Sequence, residues 1–105
     1  MIVKPNLQSD GTLVLTVVAM TLTSADAAEF RETARLAIES STGMVSVECS
    51  QLEFIDSSGV GALLHLNNLL PAARRPVRLT GVSTKLMASL ELMRVHRQFD
   101  LQPCK

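Results

Sequence analysis

Apolar and polar positions change period several times along the chain, and each change marks an element. Thr12-Leu13-Val14-Leu15-Thr16-Val17-Val18-Ala19-Met20 is rich in β-branched residues and follows the tight-turn signal Asp10-Gly11, with a short extended segment ahead of it. That pattern predicts a hairpin entering a core strand. From Ala27 the spacing lengthens: Ala27, Phe30, Ala34, Ala37 and Ile38 recur at helical intervals, with Glu29, Arg31, Glu32 and Arg35 between them. The expected element is an amphipathic helix, capped by Ser24 or Asp26 and stopped by the glycine of Ser40-Ser41-Thr42-Gly43.

Met44-Val45-Ser46-Val47-Glu48-Cys49 alternates with period two and predicts a strand, after which Ser50 to Ile55 leads into Asp56-Ser57-Ser58-Gly59. Val60, Leu63, Leu64, Leu66 and Leu70 then give a helix with a broad apolar face, Asn67 and Asn68 near its end and Pro71 stopping it. Arg74-Arg75-Pro76 reads as a polar turn, Val77 to Thr80 as a short strand and Gly81 as a break. Ser83 is the expected cap of a last helix carrying Leu86, Met87, Leu90 and Met93, and Phe99 to Leu101 is a weak final strand.

A strand, a helix and a strand from Met44 to Thr80, joined by short connections, predict a right-handed parallel crossover. The early hairpin predicts antiparallel pairing in the same sheet. The expected fold is therefore α/β, a mixed sheet with helices packed against it. No repeat, linker or low-complexity tract interrupts it, so residues 1–105 are read as a single domain.

Composition narrows the function classes. A chain of 105 residues that is 47% hydrophobic has ample material for one packed core. Its ten basic and ten acidic residues cancel, which removes the electrostatic footprint of a nucleic-acid binder, and the 3% aromatic content, all Phe, offers no stacking platform. Protein partners are expected instead. Cys49 and Cys104 form no disulfide framework and no metal-ligand spacing, which suits a reducing compartment. The N-terminus lacks a signal-peptide pattern, and the longest apolar run, Leu13 to Leu22, is broken by threonines, so the expected location is cytoplasmic without membrane insertion.

The candidate chemistry lies in Phe54-Ile55-Asp56-Ser57-Ser58-Gly59-Val60-Gly61, two hydroxyls and a carboxylate where a helix begins. The first amides of a helix have no intrahelical acceptors and the dipole leaves partial positive charge there, so an anion is tolerated. Read alone, Asp-Ser-Ser-Gly is also an ordinary N-cap, since these residues favour that position. Gly59 and Gly61 are expected to keep the backbone open to an approaching protein.

Other chemistries find little support. A hydrolase elbow needs a glycine two positions before its serine, where Ile55 or Asp56 stands. His65 falls about two turns after Ser57, too far to serve as its base, and is expected at the surface. His96, between Arg94 and Arg97, has no second ligand nearby in sequence. Gly59-x-Gly61 lacks the third glycine and the lysine of a phosphate loop. Arg74, Arg75 and Arg78 read as a solvated turn and edge, and Met20 with exposed apolar residues beside the motif is open to a role in docking. No catalytic residue, metal site, cofactor or small-molecule substrate is expected.

The eight residues from Phe54 to Gly61, with a strand before and an apolar helix after, resemble the signature of anti-sigma-factor antagonists, single-domain members of the STAS family. The resemblance extends in element order from the strand near Leu13 to the helix ending near Met93. It implies a non-enzymatic switch in which Ser57, directly after the aspartate, is phosphorylated by a partner that is both anti-sigma factor and serine kinase. A PP2C-type phosphatase would reset it. The partner surface so implied is Asp56, Ser57, Ser58, Gly59, Val60 and Gly61. Many such antagonists carry Gly-Glu-Leu/Ile-Asp before the first helix, whereas this chain reads Ala19-Met20-Thr21-Leu22-Thr23-Ser24. The resemblance thus speaks for the switch more than for the identity of its partner. A different class of function is a constitutive STAS subunit docked on the ATPase of a lipid-type ABC transporter, and a weaker one is a nucleotide-binding module.

Overall fold

Strands β1 (Val3–Leu7) and β2 (Leu13–Val17) form the expected antiparallel hairpin in a computed structural model whose described residues are 2–103. Cys104 lies outside the described residues. Gly11 takes φ +92° in the turn, a conformation that L side chains rarely adopt, while Gln8 N donates to Thr12 O at 2.8 Å across it. β2 ends at Val17 rather than running to Met20, and the chain makes a separate short strand, β3 (Thr21–Leu22), before helix α1 (Ser24–Glu39).

Strands β4 (Val45–Glu48) and β5 (Phe54–Ile55) lead to helix α2 (Ser57–Leu69), and strand β6 (Arg78–Val82) leads to helix α3 (Thr84–Leu92) and strand β7 (Asp100–Pro103). The main sheet has the order β1-β2-β4-β6-β7, with β1 antiparallel to β2 and the remaining neighbours parallel. β3 and β5 pair in parallel as a sheet of two strands. The mixed sheet and the parallel β4-α2-β6 crossover match the sequence pattern.

Register explains the core. Leu13 pairs with Val45 and Leu15 with Val47, Val47 pairs with Leu79, and all five are buried on one face. Lys4, Thr16, Glu48, Arg78 and Thr80 alternate onto the opposite, more polar face. Phe30 and Ala34 of α1, Val60, Leu63 and Leu66 of α2, and Leu86 and Leu90 of α3 close the same apolar cluster. Cys49, buried just beyond β4, is inert to exchange chemistry: burial, with Glu48 beside it, pushes its thiol up to about 12.

Several local details depart from the pattern. The N-cap of α1 is Thr23, one residue before Ser24, and Asp26 acts from inside the helix by accepting from Thr23 N at 3.4 Å. Gly43 is not the helix stop: α1 closes through Ser40, and a Cβ on Gly43 would lie 2.6 Å from the Gly11 carbonyl oxygen in the hairpin turn. Gly81 does not break the last inner strand but lies within it at φ +65°, where the β6–β7 register shifts. Ser83 does cap α3, accepting from Leu86 N at 3.1 Å.

The arginine cluster is structural rather than merely solvated. Arg74 donates from Nε to Gly43 O at 2.8 Å, Arg75 from Nε to Leu70 O at 2.7 Å, and Arg78 pairs with Asp100 at 3.1 Å. Asn67 does comparable work in the interior. Only 8% exposed, it accepts from Val77 N at 2.9 Å and donates to Gln98 O at 2.8 Å, tying α2 to the start of β6 and to the segment before β7. Asn67→Ala would strand the buried Val77 amide, so it is expected to lower unfolding free energy by about 2–4 kcal/mol in urea titrations. Asn68→Ala, at an exposed position on the same helix, is the control and should change it little.

Candidate functional site

Two very short parallel strands position the motif. Leu22 of β3 is in register with Ile55 of β5, so the next residues, Thr23 and Asp56, emerge side by side. Both have extended backbone, φ −126° and −100°, and both are N-caps, so α1 and α2 start together. Asp56 serves both helices. Its Oδ1 accepts from Gly59 N at 2.9 Å within α2, and its Oδ2 accepts from Ser24 N, the first residue of α1, at 3.3 Å. A carboxylate between two helix N-termini answers orphan amides and the positive ends of both dipoles.

The six motif residues divide by direction. Ser57, the first residue of α2, is exposed; Asp56, Ser58 and Gly61 are half-buried; Gly59 and Val60 are buried. The expected open backbone at Gly59 is therefore corrected. A Cβ there would stand 2.2 Å from Leu22 O and 2.7 Å from Ile55 Cγ1, so the missing side chain admits β3, not a partner. Gly61 differs, because its Cβ would meet only an Arg31 guanidinium nitrogen at 3.5 Å, an ordinary contact. Val60 belongs to the core cluster.

Beside Ser57 lies an apolar margin. Met20 and Phe54 are 62% and 52% exposed, and Met20 O accepts from both Glu53 N and Phe54 N, at 2.8 and 3.1 Å. Met20 was visible in the sequence as a docking candidate. Phe54 joins it because the pairing of β5 turns Ile55 inward and Phe54 outward. Glu53 meets Lys85 of α3 at 3.6 Å, an exposed pair of little energetic weight.

No catalytic arrangement assembles around Ser57 among the described residues. His65 is exposed eight positions along α2, about 12 Å by helical rise. His96 is half-buried with its Nδ1 unpartnered, and no group of three His, Cys, Asp or Glu among the described residues is placed to hold a metal.

A family model described as "Mlab, STAS domain" matches residues 7–103. The chain belongs to the STAS family. Solved structures agree on its fold. The anti-sigma-factor antagonist SpoIIAA in its unphosphorylated form aligns with TM-score 0.76 and 19% identity, over 94% of this chain and 86% of that one. SpoIIAA of Bacillus in its phosphorylated form aligns with TM-score 0.67 and 18% identity, over 94% and 89%. A STAS domain protein of Planctomyces limnophilus gives TM-score 0.82 at 15% identity, over 98% and 90%. No curated protein matches the sequence. At these identities the structures speak for the fold of this STAS domain and not for its partner.

The packing at the site sets a sharp contrast between two glycines. Gly59→Ala must push β3 away from α2 and is expected to cost about 1–3 kcal/mol or more in stability. Gly61→Ala meets only a flexible guanidinium and should be neutral or, through helix propensity, stabilising by up to about 1 kcal/mol. Paired thermal melts of the two variants measure the difference.

Proposed function

We propose that this STAS domain is a phosphorylation-switched protein-binding regulator. Unmodified, it docks a protein partner through the surface around the start of α2; phosphorylation at Ser57 releases that partner. The observation that carries the reading is an exposed hydroxyl, Ser57, in the first turn of α2 beside the exposed apolar side chains Met20 and Phe54. A neighbour of the same fold, SpoIIAA, is an anti-sigma-factor antagonist known in unphosphorylated and phosphorylated forms, which supports the same use of this helix start. By that likeness the partner is an anti-sigma factor acting as serine kinase, with a PP2C-type phosphatase to reset the switch in the cytoplasm.

The physical mechanism is a change in desolvation cost. A phosphoryl group brings about 1.5–2 negative charges to Ser57. In the free domain it stays in water, and its effect on the fold through the helix terminus is limited to about 0.3–1 kcal/mol. Beneath a partner seated on Met20 and Phe54, the same dianion would be buried next to the Asp56 carboxylate, which is strongly unfavourable. Asp56 presents the hydroxyl by fixing the first turn, Ser58 is its neighbour, and Gly59 and Val60 act from beneath by holding α2 in place.

A second reading is a constitutive subunit on a transporter ATPase, favoured by Ala19-Met20-Thr21-Leu22-Thr23-Ser24 in place of the antagonists' acidic segment. Co-purification and intact mass separate the two. Expected for the switch are one added phosphate on incubation with the cognate kinase, none on Ser57→Ala, and at least tenfold weaker partner binding by Ser57→Asp. Capture of a transporter ATPase with binding indifferent to Ser57→Asp would instead establish the docked subunit.

A further inference from the structure

Of the two arginines of α1, Arg31 is the one without an ion pair among the described residues. Its neighbour Arg35 is held by Glu32 at 2.6 Å and Glu39 at 2.9 Å. The nearby carboxylates are engaged elsewhere. Glu29 accepts from Ile2 N at 2.8 Å, Asp26 from Thr23 N at 3.4 Å, and Asp56 from Gly59 N and Ser24 N at 2.9 and 3.3 Å.

The position of this guanidinium sets it beside α2. A terminal nitrogen of Arg31 lies 3.5 Å from where a Gly61 Cβ would be. Ser57 stands one turn earlier on α2, and residues four apart share a helix face with Cβ atoms about 5–6 Å apart. That nitrogen therefore rests within about 9.5 Å of the Ser57 Cβ. The Cβ direction at position 61 also leans toward the N-terminus of α2, which is toward Ser57. Both Arg31 and Ser57 are exposed, so a long side chain and an added phosphoryl group can close the remaining gap without disturbing the core. A side chain at position 61 would fit sterically, yet glycine leaves the path between the two groups open.

We propose that Arg31 is a positioning residue for phosphorylated Ser57: its guanidinium swings along the Gly61 face of α2 and pairs with the phosphoryl oxygens. The inference rests on Ser57 being the acceptor, and it adds that the modified state is an organised one, with the dianion pinned across α1 and α2. Arg suits the role because its planar fork binds phosphate through two parallel hydrogen bonds. One first-turn donor of α2, Gly59 N, is already occupied by Asp56.

The test installs phosphoserine at position 57 of the full chain by genetic encoding and follows its phosphorus-31 resonance against pH. A guanidinium partner favours the dianion, so the second phosphate pKa is expected to lie lower in the parent protein than in Arg31→Ala by about half a pH unit, as for an exposed ion pair. Arg31→Lys should restore part of the shift and Arg31→Glu should raise the pKa beyond Arg31→Ala. Lys4→Ala, which removes the same charge from the opposite face of the sheet, should leave the titration unchanged. Identical titrations of parent and Arg31→Ala, or an equal change in Lys4→Ala, overturn the proposal. Because the phosphate is installed without a kinase, that failure leaves Ser57 free to be the acceptor, and failure of kinase labelling leaves this titration interpretable.

Discussion

The site and much of the fold hang on one carboxylate between two helices. Asp56 closes the first turn of α2 through Gly59 N and reaches Ser24 N at the start of α1, so the relative placement of the two helices is fixed where both begin. A capping residue of this type is worth about 0.5–2 kcal/mol at one helix. Here the geometric consequence matters more than the energy. Two paired strands of two residues each, Thr21–Leu22 and Phe54–Ile55, would be marginal by themselves. They persist because their ends are pinned by the caps and their inner residues, Leu22 and Ile55, are buried in the common core.

This constraint separates structure from function within a few consecutive residues. Ile55, Gly59 and Val60 look inward and hold α2 against β3, while Phe54 and Ser57 look outward. The Gly59 contact is the tightest expression of that division, since no side chain fits between α2 and the Leu22 carbonyl. The modification proposed at Ser57 would therefore sit on an outward position whose neighbours Gly59 and Val60 are packed beneath it. It would change what the surface offers a partner without asking either of them to move.

The element order was readable because the sequence changes period cleanly, from the β-branched run after Gly11 to the helical spacing of Ala27, Phe30 and Ala34. The helix start at Asp56 was readable for the same reason. What the pattern could not show was pairing. Thr23, not Ser24, caps α1 because the Leu22 to Ile55 register decides where β3 ends, and register is a relation between distant segments. Gly43, Gly59 and Gly81 were misread alike: each was assigned to punctuation or openness, and each answers to a neighbour far away in sequence. Asn67 resembled an ordinary polar residue near a helix end until Val77 and Gln98 came to either side of it.

The same pairing bears on how a phosphate would behave at Ser57. An unoccupied helix start would draw the new anion onto its own amides, and the charge would be partly absorbed by the fold. In this STAS domain Asp56 already holds the Gly59 amide at 2.9 Å, so the phosphoryl group and the carboxylate compete for one positive terminus and the like charges repel. The added charge is thereby directed outward, toward Met20 and Phe54 on one side and Arg31 on the other. A cap that stabilises the unmodified domain would thus also bias the direction in which a phosphorylated one presents its charge.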